Sequence, residues 1–452
     1  MKLPLKEKLA YGVGDTASNL IFTTVMSFLL FYYTDIFGLT AAAAGALFLG
    51  VRVTDAFVDV FVGVAADRTQ TRWGKFRPWL LWMAGPFAVV AVLTFTTPDW
   101  SYPAKLIYAW VTYLLLMFVY SAINIPYGAL SAVMTDDVHE RTSLSGVRMS
   151  FAQIGALIVA AGTLPLIGYF SGAGGDRALG YQRTMLLFAA VALILFLVTF
   201  LGTRERVHPP EGQHSDLRTD ISMLFRNRPW MVLAAASAFL FVFYSIRLGV
   251  VIYYFKYYLG EESAASVFFT VSSLSAIPGA LLSAPLSRRL GKRTTFQLGS
   301  LGAAVFNAVI FFISPGHPIL LQAANVLGSI SIFIMAPLIF SMLADTADYA
   351  DWKFRRRSTG IVFSASAFAG KVGMGLGGAL TGMLLTAVGY VPGAEQAETT
   401  VRGIVLMISV LPGAGFVLLS LFMCLYSLDE KMSAEMHSEL AARRVKPVAV
   451  HV

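Results

Sequence analysis

Cysteine is almost missing from this chain: of 452 residues, only Cys424 carries a thiol. One thiol forms no intrachain disulfide and no thiolate metal site. Charge is scarce too, at 13% Asp, Glu, Lys and Arg, about half the share usual in soluble domains. The six histidines, at 139, 208, 214, 317, 437 and 451, all fall in loops or in the tail. That placement argues against a proton relay through an intramembrane imidazole. There is no histidine cluster and no phosphate-binding glycine loop after a strand, so no metal, nucleotide or other resident cofactor is expected. No cleavable leader is expected either. Lys2, Lys6 and Lys8 precede an apolar run that is too long and lacks a small-residue cleavage site.

What remains is apolar. The chain is 57% hydrophobic, with a mean hydropathy of +0.69. This composition belongs to an all-α, multi-pass membrane protein. A spanning helix needs roughly 20 apolar residues. Twelve such runs are predicted: 9–33, 40–65, 78–97, 105–134, 144–170, 181–201, 229–255, 263–286, 295–314, 318–344, 359–389 and 401–427.

Lysine and arginine sort by side of the membrane. The amino terminus, the loops 66–77, 135–143, 202–228, 287–294 and 345–358, and the tail hold 25 of the 34. The opposite loops hold five: Lys105, Arg177, Arg183, Lys256 and Arg402. Both termini are therefore expected in the cytoplasm. The net charge of +8 reads as topology and contact with anionic lipid, not as a nucleic-acid surface. The polar stretch 202–228 divides the chain into six-helix halves at 1–201 and 229–427, with a cytoplasmic tail at 428–452. Within that linker, "LRTDISMLFRN" reads as a short amphipathic surface helix.

The halves repeat. "ADRTQTRWGKFRPW" follows the second span, and "APLSRRLGKRTTF" follows the second span of the other half. "SAVMTDDVHERTS" and "SMLADTADYADWKFRRRST" end spans four and ten. Repeated halves are a transporter architecture, with the site between them near the midplane. The basic loop and the acidic span ends read as a cytoplasmic gate: Asp67, Arg72, Lys75 and Arg141 on one side, Asp345 and Asp348 on the other.

Four cations remain inside the spans: Arg52, Arg148, Arg247 and Lys371. Arg52 lies in "VRVTDAFVDVFVG", where Asp55 and Asp59 share its helix face. Each such residue costs at least ~2.5–3.5 kcal/mol to insert. A structural ion pair accounts for Arg52 with one aspartate, but not for the second aspartate one turn on. Two carboxylates at that spacing repel unless they share a cation or hold a proton between them. That is the requirement of a site that loads and unloads H+ or Na+. Other polar groups lie at similar depth. Tyr11, Asp15, Ser18 and Asn19 are in the first span, and Tyr120, Ser121, Asn124 and Tyr127 in the fourth, beside Pro126. Together with Arg148, Arg247 and Lys371 they suit a cavity for a polyhydroxylated solute. The glycines at 373, 375, 377, 378 and 382 include two i, i+4 pairs, which read as close packing of span eleven.

"KLAYGVGDTASN", "FYYTDIFGL", "RVTDAFVDVFVG", "RWGKFRPW", "NIPYGAL" and "ADTADYADW…TGIVFSASAFAGKVG" resemble the glycoside–pentoside–hexuronide:cation symporters of the major facilitator superfamily. The likeness covers nearly the whole chain. It implies twelve helices, alternating access and sugar–cation symport. By that resemblance Asp55 and Asp59 are the cation carboxylates, with Ser121 as a helping hydroxyl. Asn19, Tyr120, Asn124, Arg148 and Lys371 fall at sugar-site positions, and Phe340 where several members place a tryptophan. Melibiose-carrying members have carboxylates at the positions of Asn19 and Asn124, a lysine at Ser18 and an amide at Val58. The sugar site here is less anionic, closer to the xyloside and glucuronide carriers.

The expected function is uptake of a sugar or glycoside across a bacterial cytoplasmic membrane by a monomer. H+ is favoured over Na+, because Val58 brings no oxygen to the pair. An integral-membrane enzyme acting on lipid-linked sugars would need a metal, nucleotide or reactive-pair motif, and none is found. A channel or a receptor of transporter shape is the third class, which saturable counterflow separates from a carrier.

Overall fold

The computed structural model describes residues 3–135, 137–172, 174–207, 222–355, 359–428, 432–433, 435–436 and 438–440. Its elements are helical: α1 (Leu5–Phe31), α2 (Ala41–Arg68), α3 (Arg77–Thr94), α4 (Tyr102–Met134), α5 (Val138–Ser171), α6 (Arg177–Gly202), α7 (Arg228–Tyr253), α8 (Ala265–Leu290), α9 (Lys292–Ile310), α10 (Pro318–Phe354), α11 (Thr359–Ala387), α12 (Glu398–Ile408) and α13 (Val410–Phe422). They fall at the predicted spans, the last of which is divided between α12 and α13. Among the described residues, ten helical stretches are long and apolar enough to cross a membrane. α2, which bears the charged stripe, and α9, which opens on "KRTTFQ", are not among them. Of the expected surface helix at 217–227, residues 222–224 are helical and 217–221 lie outside the described residues.

Helix starts follow local chemistry. The Thr40 side chain accepts from the Ala43 amide at the start of α2, and Asp176 accepts from Leu179 at the start of α6. Proline sits in the first turn of α3, α4 and α10, where its missing N–H costs no intrahelical bond.

The helices group into two compact units. One comprises Met1–Gly212, Leu248–Ser273 and Gly378–Val405. Within it α1 packs on α5 and α6, α3 on α4 and α6, and α2 on α4. Its interior is strongly aromatic, with Tyr11, Tyr32, Tyr33, Tyr113, Tyr127, Tyr181, Phe28 and Phe31 fully buried. The other comprises Gln213–Arg247, Leu274–Gly377 and Leu406–Val452. There α9 packs on α10 and α13. Its core includes Trp230, Met335, Met342 and Phe416, and extends to Met436 and Leu440 of the tail.

The paired glycines of α11 have different neighbours. A Cβ on Gly373 or Gly377 would lie 2.4 or 2.5 Å from the Ala238 or Val242 carbonyl of α7. A Cβ on Gly382 would lie 2.4 Å from the Ala41 carbonyl of α2 and 2.7 Å from Gly45. Close packing, as expected, is their role, and each pair serves one neighbouring helix.

Candidate functional site

The stripe on α2 is held from α4. Arg52 and Asp55 are buried, with Arg52 Nη1 3.9 Å from Asp55 Oδ2. The Ser121 hydroxyl donates to Asp55 Oδ1 at 2.8 Å. The Arg52 guanidinium lies 5.6 Å from the centroid of the Phe22 ring and reaches Met26 Sδ of α1 at 3.2 Å. Asp59, one turn further along α2, is half-buried.

The first-span polar groups meet α4 and α5. Arg148 Nε donates to Asp15 Oδ2 at 2.9 Å, and its guanidinium faces the Tyr127 ring at 5.2 Å. Ser18 Oγ donates to Asn124 Oδ1 at 3.1 Å. Asn19 and Asn124 anchor their own amide nitrogens on the carbonyls of Asp15 and Tyr120, at 2.9 and 3.2 Å. The Tyr127 hydroxyl donates to the Tyr11 carbonyl at 2.6 Å, and their rings stack 4.8 Å apart. Tyr120 stacks on Phe22 at 5.0 Å. Phe22 therefore meets both groups, through Arg52 and through Tyr120. Asp15, Asn19, Tyr120, Asn124 and Arg148 thus form one cluster with donors, acceptors and aromatic faces. Asp55 and Ser121 adjoin it along α4.

The other candidates lie in the second unit. Arg247 is buried, where its Nε donates to Asn307 and its Nη2 to Asn325, both at 2.7 Å. These bonds tie α7 to α9 and α10. Lys371 is half-buried on α11, and Phe340 is exposed on α10.

Several gate candidates have described contacts. Arg72 lies over Trp73 at 4.5 Å, and Arg141 caps α4 through the Thr135 and Ala132 carbonyls. Lys292 donates to Asp345 at 2.6 Å, and Asp348 is half-buried one turn on. The side chain of Asp67 lies outside the described structure.

Two features escaped sequence reasoning. Glu205 accepts from the amides of Lys75, Phe76 and Arg77, each at 2.8 Å, and so caps α3. Next to it, Arg206 makes a two-pronged bond to Glu7 of α1, and the Arg206 and Val207 amides bond the Val133 carbonyl of α4. The pairing with Glu7 holds the Arg206 guanidinium above its ordinary value. The second feature is at the far end of α1. Asp35, whose side chain is fully buried, accepts from Lys256 Nζ at 2.6 Å, from Thr34 at 2.9 Å, and from the Tyr257 and Tyr390 hydroxyls. The internal repeat of "FYYTDIFG" with "YYFKYYLG" was the signal available for it.

The family profile described as MFS/sugar transport protein matches residues 10–430. The chain is 36% identical to the "Isoprimeverose transporter" of Lactiplantibacillus pentosus, over 97% of this chain and 92% of the relative. It is 35% identical to a "Putative glycoside/cation symporter" of Escherichia coli strain K12, over 98% and 97%. It is 32% identical to the "Glucuronide carrier protein homolog" of the same organism, over 96% and 95%. Among solved structures, the nucleoside transporter NupG superposes with a TM-score of 0.63 at 15% identity, covering 93% of this chain and 99% of the other. That likeness supports the shared fold.

Proposed function

The chain belongs to the MFS/sugar transport protein family, and on that premise we propose that it imports a sugar or glycoside by symport with H+. It is a multi-pass membrane transporter and not an enzyme. The reading places twelve spans in two six-helix halves, 1–201 and 229–427, with both termini cytoplasmic and the monomer as the working unit. Its setting is a bacterial inner membrane, as for the symporter relatives. The substrate read for this chain is a pentoside, galactoside, glucoside or glucuronide, a range that the relatives named for isoprimeverose, glycosides and glucuronides support.

The observation that carries symport is the arrangement along α4. Ser121 reaches the carboxylate of Asp55, while Tyr120 and Asn124 belong to the polar cluster on α1. One helix therefore touches both a cation-type site and a hydroxyl-binding site, and a shift of α4 is felt by both. The amides, the Asp15–Arg148 pair and the Tyr120 ring offer the paired donors, acceptors and apolar face that a sugar needs. At the other site a proton requires one carboxylate, whereas Na+ prefers several oxygen ligands together. Ser121 supplies one beside Asp55, and Val58 supplies none.

The test is uptake into right-side-out vesicles across a glycoside panel, first with a pH gradient and no sodium, then with sodium and no pH gradient. Accumulation driven by pH alone is the expected result. Stimulation by sodium alone reverses the ion assignment, and no uptake under either gradient rejects the proposal.

A further inference from the structure

α1 and α7 end alike. Each runs into a five-residue π-helical turn, Tyr32–Ile36 and Tyr254–Tyr258, followed by a glycine at positive φ, Gly38 at 89° and Gly260 at 73°. The closing hydrogen bonds also match. Phe37 and Leu39 donate to the Tyr32 and Tyr33 carbonyls, and Leu259 and Glu261 donate to those of Tyr254 and Phe255. Asp35 and Tyr257, 222 residues apart, occupy the same place in the two turns, and they bond each other. The repeat thus folds back on itself at these two residues. π-turns frequently mark functional positions, because the wider turn re-aims the side chains beyond it.

The two turns match in backbone and differ in chemistry. One presents a carboxylate, the other an ammonium and a phenol. Tyr390, beyond α11, adds a second phenol to Asp35. The Thr34 hydroxyl lies 2.7 Å from that of Tyr253, in the same crossing. The Asp35 side chain is 0% exposed, so this carboxylate depends on these donors in place of water.

We infer that Asp35 is the bolt of the outer end of the transporter: an acceptor that ties the ends of α1, α7 and α11 and must be released each time the binding cluster opens to the outside. This rests on the transport reading and the orientation proposed above. Donors converging on one buried carboxylate make a closed state that is specific in geometry, and the bonds to Lys256, Tyr257 and Tyr390 break together when the end of α1 moves away. Asp35 acts at the far end of α1 from Asp15, so its role is to position helices and not to hold sugar.

The experiment reads accessibility directly. Cys424 is replaced by serine, and a single cysteine is placed at Thr23, half-buried on α1 between Asn19 and Asp35. A membrane-impermeant maleimide is then added outside intact cells. Asp35→Asn and Lys256→Met are each expected to raise the labelling rate about tenfold, the population change for loss of one charge-assisted hydrogen bond. Tyr390→Phe keeps the ring and removes only the hydroxyl, so it guards against misfolding of the other two, and it should give a smaller rise. Unchanged labelling in Tyr390→Phe and in the charge variants, at normal expression, overturns the bolt. If the labelling rises while the unmodified protein carries no sugar at all, the bolt stands and the substrate reading falls instead.

Discussion

Ser121 donates its hydroxyl proton to Asp55 across 2.8 Å, and this bond makes the two carboxylates of α2 unequal. Asp55 is buried under α4, whereas Asp59, one turn on, is half-buried. Removing the hydroxyl in Ser121→Ala takes a donor from a buried charged group, worth about 1.5–3 kcal/mol. The apparent affinity for the coupling cation should change roughly tenfold or more. Asp55→Asn and Asp59→Asn should each abolish accumulation yet spare exchange of labelled sugar at equal concentrations. The measurement is uptake against counterflow in the same vesicles, and full accumulation by both variants rejects the stripe as the coupling site.

The sugar cluster makes a separable prediction. Asn124→Ala leaves Ser18 without its acceptor and removes a side chain suited to hydroxyls. Affinity should fall about 5- to 150-fold, corresponding to about 1–3 kcal/mol. Arg148→Lys keeps the charge but loses the planar fork beside Asp15 and Tyr127, so it should weaken binding as well. Calorimetric titration of the purified variants checks both, and unaltered affinity in Asn124→Ala removes it from the site.

The charged stripe was legible because three ionisable residues on one face stand out in an otherwise apolar run. The partnership of Asp15 with Arg148 was not, since the two lie 133 residues apart and nothing local links them. Arg247 shows how much a partner adds. An intramembrane cation reads as a ligand group, and its described bonds go to Asn307 and Asn325, two amides in runs that read as apolar. Asp35 and Glu205 were overlooked for a shared reason: both lie at the edge of a hydrophobic run, where a carboxylate is unremarkable until its partners are known. Among the described residues, ten helical stretches were legible because bilayer length and hydrophobic composition fix them with little help from tertiary structure, whereas α2 and α9 fall short of that mark.

Glycine contacts predict stability. A methyl group at Gly382 would meet the Ala41 carbonyl at 2.4 Å, so Gly382→Ala must separate α2 from α11. The expected loss is about 1–3 kcal/mol, as for other overpacked interiors. Gly168 on α5 has nothing within 4 Å of the same construction, and Gly168→Ala should be neutral or stabilising by up to ~1 kcal/mol. Thermal unfolding in detergent compares the two, and equal midpoints would contradict the packing role.

Acid should loosen the entrance to α1. The bond from Lys8 holds Glu140 below the ordinary glutamate range, with help from the Leu3 amide. A carboxylate with a lowered value contributes stability at neutral pH, and that contribution is lost as pH falls through the lowered value. Glu140→Gln should therefore melt below the unmodified protein at pH 7. The gap should narrow as pH drops below about 4.3, the usual glutamate value. A gap that persists or widens in acid would show that the pair is not its source.

The strap after α6 bears on how this chain can be divided. Residues 203–207 look like the start of a linker, yet Glu205 caps α3, Arg206 grips Glu7, and the Arg206 and Val207 amides close on α4. Two genes encoding the halves as separate polypeptides should therefore be cut after Val207. A break before Thr203 leaves the first fragment with a bare helix end at α3 and an unmatched glutamate on α1, and hands the second fragment a tail that belongs to its partner.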